Sequence, residues 1–208
     1  KSGGGVRFGF PLFEEVRGYT SYKYEQVEIS QVKETASIII RDQVGTSSTS
    51  SLSAALRRDS RDHFFDPSRG SDNSISIEYA GGPLGGTNYF TRYSANSVWF
   101  TTPFWKITFM AHGRIGYIHG NEGHPVPLFE RYRLGGIYSI RGFKAFSIGP
   151  KAPNGEVIGG DKELLFNFEA VFPLIPVIKI KGVVFFDAGN AFDLGEPYRL
   201  DDLRTSVG

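Results

Sequence analysis

The sequence contains no cysteine and a single methionine, Met110. The absence of cysteine excludes disulfides, thiolate metal sites and cysteine nucleophiles. Long hydrophobic runs are also lacking: the longest uncharged stretch of the apolar C-terminal third covers residues 170–178 and contains two prolines. Because a membrane-spanning helix needs about 20 predominantly apolar residues, we exclude a helical membrane protein. No signal peptide is visible and residue 1 is lysine, so we expect the sequence to belong to a longer product.

Charge is nearly balanced, with a formal net charge of +1 and a pI near 8.1. No strong field of one sign is available to attract nucleic acid, so we expect no nucleic-acid partner. His112, His119 and His124 lie close in sequence, but two of them fall in a segment rich in glycine and proline, which disfavours a metal site. Asp59 and Asp62 stand among arginines at a strand end, which disfavours a catalytic pair. We therefore predict no enzyme, no metal and no cofactor.

Aromatic residues and glycine are abundant, with 18 phenylalanines, 10 tyrosines and 26 glycines. Strands favour aromatic residues, and glycine marks turns and close backbone approach. Side chains also alternate: between residues 106 and 118 the odd positions are apolar or small, whereas His112 and Arg114 occupy even positions. A period of two places one set of side chains on each face of a sheet. The pattern predicts an all-β protein with one face suited to lipid and the other to water.

Eight segments carry this pattern, and their connections alternate between short and long, as in outer-membrane barrels. We predict an antiparallel transmembrane β-barrel with strands at residues 3–10, 19–29, 49–59, 74–79, 87–101, 106–118, 161–172 and 179–191. The longer segments approach the length that a tilted strand needs to cross hydrocarbon. Aromatic residues near strand ends resemble an interfacial girdle, as at Phe100, Phe104, Trp105 and Phe172. A soluble β-sandwich also shows alternation and is the alternative fold.

The longest connection, residues 119–160, shows little alternation. Loops of this length without secondary structure are usually functional or disordered. This loop has too much apolar surface to be left in water. The apolar side chains belong to Leu128, Phe129, Tyr132, Leu134, Ile137, Tyr138, Ile140, Phe143 and Phe146. We therefore expect it to fold into the barrel lumen. At its centre stands the tetrapeptide Ile140-Arg141-Gly142-Phe143.

This tetrapeptide carries a resemblance to a known family. Residues 132–143, followed by Gly149 and Pro150, are similar to the sixth extracellular loop of the BamA-type outer-membrane protein assembly factors (the bacterial surface antigen family), whose hallmark is [VI]-R-G-[FY]. Residues 168–173 and 185–190 look like the two strands that follow this loop. The resemblance covers nearly the whole chain. It implies that residues 1–208 are a C-terminal fragment of a sixteen-stranded barrel, with roughly the sixth to thirteenth strands present.

In the family, the loop arginine reaches into the lumen and pairs with acidic residues of the inner wall, which implies Arg141 with Glu169 and Asp187. The alternation agrees, because Glu169 falls on the face opposite Phe168 and Phe172, and Asp187 on the face opposite Phe186 and Ala188. A carboxylate that faces lipid is unfavourable. A planar guanidinium can serve two carboxylates with charge-assisted hydrogen bonds. Gly142 lets the backbone approach the wall closely. The other interpretation is an exposed Arg141 and two acids that line water.

The resemblance implies a function in the bacterial outer membrane, where the chain would be the barrel portion of a factor that assembles and inserts outer-membrane proteins. The implied partners are outer-membrane lipid and unfolded outer-membrane client proteins, with accessory lipoproteins bound through periplasmic domains outside this sequence. Two alternatives share part of the pattern: a two-partner-secretion transporter of the same superfamily, and a passive outer-membrane barrel or adhesin. Open sheet edges also predict that the fragment either closes on itself or self-associates edge to edge.

Overall fold

The computed structural model describes residues 1–30, 37–41, 43–178 and 180–208. These residues form one antiparallel sheet of nine strands in sequence order. The strands are β1 (Ser2–Phe13), β2 (Val16–Ile29), β3 (Gly45–Asp59), β4 (Gly70–Ala80), β5 (Phe90–Phe104), β6 (Ile107–Gly120), β7 (Lys162–Ile175), β8 (Ile180–Phe192) and β9 (Arg204–Val207). The helix α1 (Ile38–Arg41) has four residues, and 3-10 turns cover Gly82–Leu84, Pro176–Ile178 and Leu200–Asp202. Among the described residues, no helix is long and apolar enough to span a membrane.

The prediction of an all-β antiparallel fold is confirmed, but the predicted count of eight strands is short by one. The missing strand is β9, which pairs with residues 186–189 of β8. It has four residues, too few for an alternating pattern to be recognised. The predicted strand at residues 179–191 begins at Ile180 in the structure, and Lys179 lies outside the described residues.

The two faces of the sheet differ in chemistry. The apolar face carries large exposed side chains, including Phe8, Tyr22, Leu52, Leu56, Ile75, Ile77, Tyr93, Trp99, Ile115, Phe168 and Phe186. The polar face carries Arg57, Asp72, Glu78, Arg92, Asn96, His112, Arg114, Glu163, Asn167, Glu169 and Asp187. An apolar face of this extent is unfavourable in water and is the surface that membrane strands present to lipid.

The two tryptophans of the chain provide a test of the face assignment. Trp99 projects from the apolar face and is 57% exposed, and Trp105 at the β5–β6 turn is 83% exposed. In the Trp105→Phe protein in bilayers, we expect lipids brominated in their acyl chains to quench Trp99 fluorescence, because this side chain contacts hydrocarbon. Aqueous iodide is expected to quench it weakly. Strong iodide quenching with no effect of brominated lipid would contradict the assignment.

The buried core lies between the polar face and the connection from β6 to β7. This connection was predicted at residues 119–160, but β6 continues to Gly120 and β7 begins at Lys162, so it covers residues 121–161. His119 belongs to the strand, where its ring stacks on those of Tyr93 and Tyr117. We call residues 121–161 the long loop. Its apolar side chains join the sheet in two buried clusters: Leu134, Ile140 and Ile148 with Leu165, and Val126 with Ala80, Phe90 and Ile118.

Candidate functional site

The long loop consists of a stem and a tip. In the stem, Tyr132 and Gly160 exchange backbone hydrogen bonds of 2.8 and 2.9 Å, and Leu134 and Ile148 exchange bonds of 2.9 and 3.0 Å. The partners of Tyr132 and Leu134 are twelve positions apart, so these pairs are two separate antiparallel bridges and not a continuous ladder. The tip covers residues 135–147, between Leu134 and Ile148.

A tight turn directs the tip toward the polar face. The backbone N–H of Gly136 donates to the carbonyl oxygen of Ile140 at 3.1 Å. Gly142 follows with a φ of 81°, a left-handed conformation that glycine adopts without steric cost. A Cβ atom at Gly142 would lie 3.8 Å from Cβ of Ser206, so the tip contacts β9 at this point. Arg141, between these residues, extends onto β7 and β8.

Arg141 makes charge-assisted hydrogen bonds with both predicted acids. Its Nε and Nη2 donate to the two oxygens of Asp187 at 2.8 and 2.7 Å, and its Nη1 donates to Glu169 Oε1 at 2.6 Å. Its backbone N–H also donates to Asp187 Oδ2 at 2.9 Å. The guanidinium carbon lies 3.7 Å from the centre of the Phe185 ring. A planar, forked cation is required for this combination of bidentate pairing and stacking.

Asp187 neutralises the charge of Arg141, and its side chain is fully buried. Asn167 Nδ2 donates to Asp187 Oδ1 at 2.8 Å and to the backbone carbonyl of Ser139 at 2.7 Å, so this amide connects the tip to β7. The hydrogen bonds that Arg141 donates to Asp187, followed by the one that it donates to Glu169, raise the pKa of Arg141 above its ordinary value. The guanidinium therefore stays charged throughout the physiological range, as a buried carboxylate requires of its partner.

His112 extends the hydrogen-bond network from β7 to β5. Its Nδ1 lies 2.8 Å from Asn167 Oδ1, and its Nε2 lies 2.8 Å from Asn96 Oδ1. Because the Asn167 amide nitrogen already donates to Asp187 and Ser139, its oxygen is the acceptor and His112 donates from Nδ1. The network thus runs without interruption from β6 to the loop tip, and His112 also contacts Asn96 of β5 through Nε2.

Apolar packing holds the tip beside the charged network. Ile140 is fully buried with Leu134 and Leu165, and Phe143 packs against this cluster. The expectation that all the apolar side chains of the loop leave water is too broad. Ile137, Tyr138 and Phe146 are 75%, 88% and 68% exposed, because the turn that buries Ile140 points them away from the sheet.

The similarity of the chain to known proteins identifies its family. The Omp85 superfamily domain matches residues 1–208. The chain belongs to the Omp85 superfamily. Outer membrane protein assembly factor BamA of Nitratidesulfovibrio vulgaris is 31% identical over 98% of the chain and 26% of the relative. BamA of Neisseria meningitidis serogroup B is 34% identical over 68% of the chain and 18% of the relative, and a SAM50-like protein of Schizosaccharomyces pombe is 30% identical over 82% and 37%.

A solved Omp85 structure has the same fold. BamA from Haemophilus ducreyi lacking POTRA domains 1–3 matches with a TM-score of 0.78 and 22% identity over 99% of this chain and 46% of that one. The resemblance to BamA-type barrels and the outer-membrane location predicted from the sequence are confirmed. The chain spans about a quarter of the length of the Nitratidesulfovibrio relative. The relatives named here as BamA are assembly factors, not enzymes.

In this Omp85 chain, the structure brings the predicted arginine together with both predicted acids. The other motif residues have packing roles: Ile140 lies in a buried cluster, Gly142 forms the turn and Phe143 packs on the cluster. Three members of the network were not predicted from the sequence: Phe185, Asn167 and His112. Strand alternation already placed all three on the face of Asp187, which is the signal that could have identified them.

The cluster of Arg141, Glu169 and Asp187 is suited to holding the loop in place rather than to catalysing a reaction. Among the described residues, no group of three or more histidine, cysteine, aspartate or glutamate side chains could hold a metal ion. The Arg141 guanidinium bonds with Glu169 and Asp187, so these groups are engaged with one another. A general acid or base needs access to a substrate proton, whereas Asp187 is fully buried beneath the tip.

Proposed function

We propose that this chain forms the barrel portion of an outer-membrane protein assembly and insertion factor, in which Arg141 locks the long loop onto the inner barrel wall. In this proposal the polar face lines the lumen and the apolar face contacts outer-membrane lipid. Residues 1–208 form part of a larger barrel, predicted to have sixteen strands. The observation that carries the proposal is the contact of Arg141 with Glu169 and Asp187 in a chain of the Omp85 superfamily.

The contacts of the tip support a structural lock. Release of Arg141 would separate a cation from two carboxylates and break the three hydrogen bonds that Arg141 donates to Asp187. Release would also expose Ile140 to water. A loop held at this point braces β7 and β8 against sliding, because Glu169 and Asp187 lie on these two neighbouring strands.

The proposed clients are unfolded outer-membrane proteins, since the BamA relatives are named as outer membrane protein assembly factors. Accessory lipoproteins, bound through periplasmic domains, belong to the same proposal. Edge-to-edge self-association of the fragment, expected from open sheet edges, also stays a prediction.

A client-folding assay with the intact protein in liposomes tests this function. We expect an unfolded outer-membrane protein to fold faster in these liposomes than in empty ones, and Arg141→Ala to remove most of the acceleration. Arg199→Ala, which replaces an arginine 54% exposed in the β8–β9 connection, is the matched control. Absence of acceleration by the unmodified protein would overturn the assembly function. Equal rates for the unmodified protein and Arg141→Ala would overturn the lock.

A further inference from the structure

A second charged cluster holds the stem of the long loop and shares no residue with the Arg141 contacts. Glu130 accepts a hydrogen bond from Nη2 of Arg92 in β5, and the same nitrogen donates to the Glu130 carbonyl oxygen at 3.2 Å. Nη1 of Arg92 donates to Glu78 in β4 at 3.0 Å. The Glu130 side chain is only 8% exposed. The charges are reversed relative to the tip, because here the loop supplies the carboxylate and the sheet supplies the guanidinium.

Tyr132, two residues further along the stem, fills a notch above Gly116 of β6. A Cβ atom at Gly116 would lie 2.6 Å from Cζ and 2.7 Å from the hydroxyl oxygen of Tyr132, so a larger residue would displace the ring. The ring also packs on the buried cluster that contains Phe90 and Ile118. Charge and shape therefore both hold the stem on β4, β5 and β6.

We propose that Glu130 and Tyr132 are positioning residues that anchor the stem independently of Arg141, so that the tip can leave β7 and β8 while the stem stays bound. The inference rests on the proposed lock at the tip and adds a hinge between the two anchors. The hinge lies at Gly135 and Gly136, whose φ angles of 102° and 93° occupy the region that favours glycine. The two charged clusters share no partner, so we expect their contributions to stability to be separate, although Leu134 of the stem and Ile140 of the tip pack in one cluster.

The opposite polarity of the two anchors determines which part of the loop binds which strands. If stem and tip exchanged places, Arg141 would meet Arg92 and Glu130 would meet Asp187. Like charges in a poorly hydrated site repel and disfavour the charged forms. The arrangement therefore directs a released tip back to β7 and β8 and keeps it from rebinding at the stem site.

Hydrogen exchange of the intact protein in nanodiscs, resolved by segment, tests the independence of the anchors. The amides of Tyr132 and Gly160 report on the stem, and those of Gly136 and Ser139, which bond within the tip turn, report on the tip. In Glu130→Ala, we expect the stem amides to exchange about tenfold faster, as for loss of a hydrogen bond to a charged group, with the tip amides unchanged. In Arg141→Ala, we expect the reverse.

Two further variants distinguish positioning from general damage. The exchange of charges in Arg92→Glu with Glu130→Arg, combined with Glu78→Gln because Glu78 would repel the new carboxylate, is expected to restore stem protection, which a steric role alone would not do. Gly116→Val, which fills the notch, is expected to release the stem and provides a second route if Glu130→Ala does not fold. Acceleration of stem and tip amides together in each single variant would overturn the proposal. Because the readout is amide exchange, failure of the client-folding assay would leave this result unaffected.

Discussion

Replacement of Asp187 with alanine is expected to destabilise the protein by about 3–5 kcal/mol, the cost of removing one partner from a buried ion pair. The carboxylate accepts four hydrogen bonds, three from Arg141 and one from Asn167, and it is fully buried. Its removal leaves the guanidinium with Glu169 alone. Since the Arg141 side chain is 24% exposed, water can reach part of the cation, and the lower end of the range is expected. Denaturant unfolding of the purified protein in detergent measures the loss.

Substitutions of two other carboxylates provide comparisons for the effect of Asp187→Ala. Glu169→Gln removes one charge-assisted bond of 2.6 Å from a side chain that is 22% exposed, so a smaller loss of about 1.5 kcal/mol is expected. Asp201→Ala removes a carboxylate that is 83% exposed and 3.9 Å from Arg199, and little change is expected. If the three variants unfolded at the same denaturant concentration, Asp187 would have no special role in stability.

The second large effect is expected for Ile140→Ala, which removes the side chain that precedes the lock. Ile140 is fully buried against Leu134, Ile148 and Leu165, so truncation leaves a cavity and costs about 2–5 kcal/mol. The same loop provides a matched control three positions earlier, because Ile137 is 75% exposed. Ile137→Ala should change unfolding by less than about 0.5 kcal/mol. Equal losses in the two variants, measured by denaturant unfolding, would show that the tip is not packed as described.

The sequence predicted the faces of the sheet well, because a period of two needs only local information. The start of a further strand was expected near Gly208, but the bounds of β9 were not predicted, since four residues are too short to show a period. The boundaries of β6 were also missed: His119 and Gly120 looked like loop residues, yet Gly120 pairs with Phe90 across the β5–β6 ladder. Glycine and histidine are weak strand formers, and here the register with β5 decides.

For the site, alternation and the family resemblance together identified Arg141, Glu169 and Asp187. The surrounding network depends on how β7 and β8 align, with Glu169 opposite Phe185 and Asn167 opposite Asp187. This register is a property of the pair of strands and cannot be read from either one alone. The ion pair of Arg92 with Glu130 could not be predicted for a similar reason, because these residues are 38 positions apart and belong to different elements.

The central claim, that the loop tip is docked against β8 and β9, can be tested most directly by a disulfide between Gly142→Cys and Ser206→Cys. The two Cβ atoms would lie 3.8 Å apart, close to the mean of about 3.8 Å in disulfides, and the chain has no native cysteine. Gly155→Cys with Ser206→Cys serves as the comparison, because Gly155 has a φ of 85°, close to the 81° of Gly142, so the backbone strain is matched, and nothing lies within 4 Å of a Cβ at Gly155. On mild oxidation in membranes, the first pair is predicted to lose its free thiols and the second to keep them. Free, reactive thiols in the first pair would contradict the docked tip and the lock built on it.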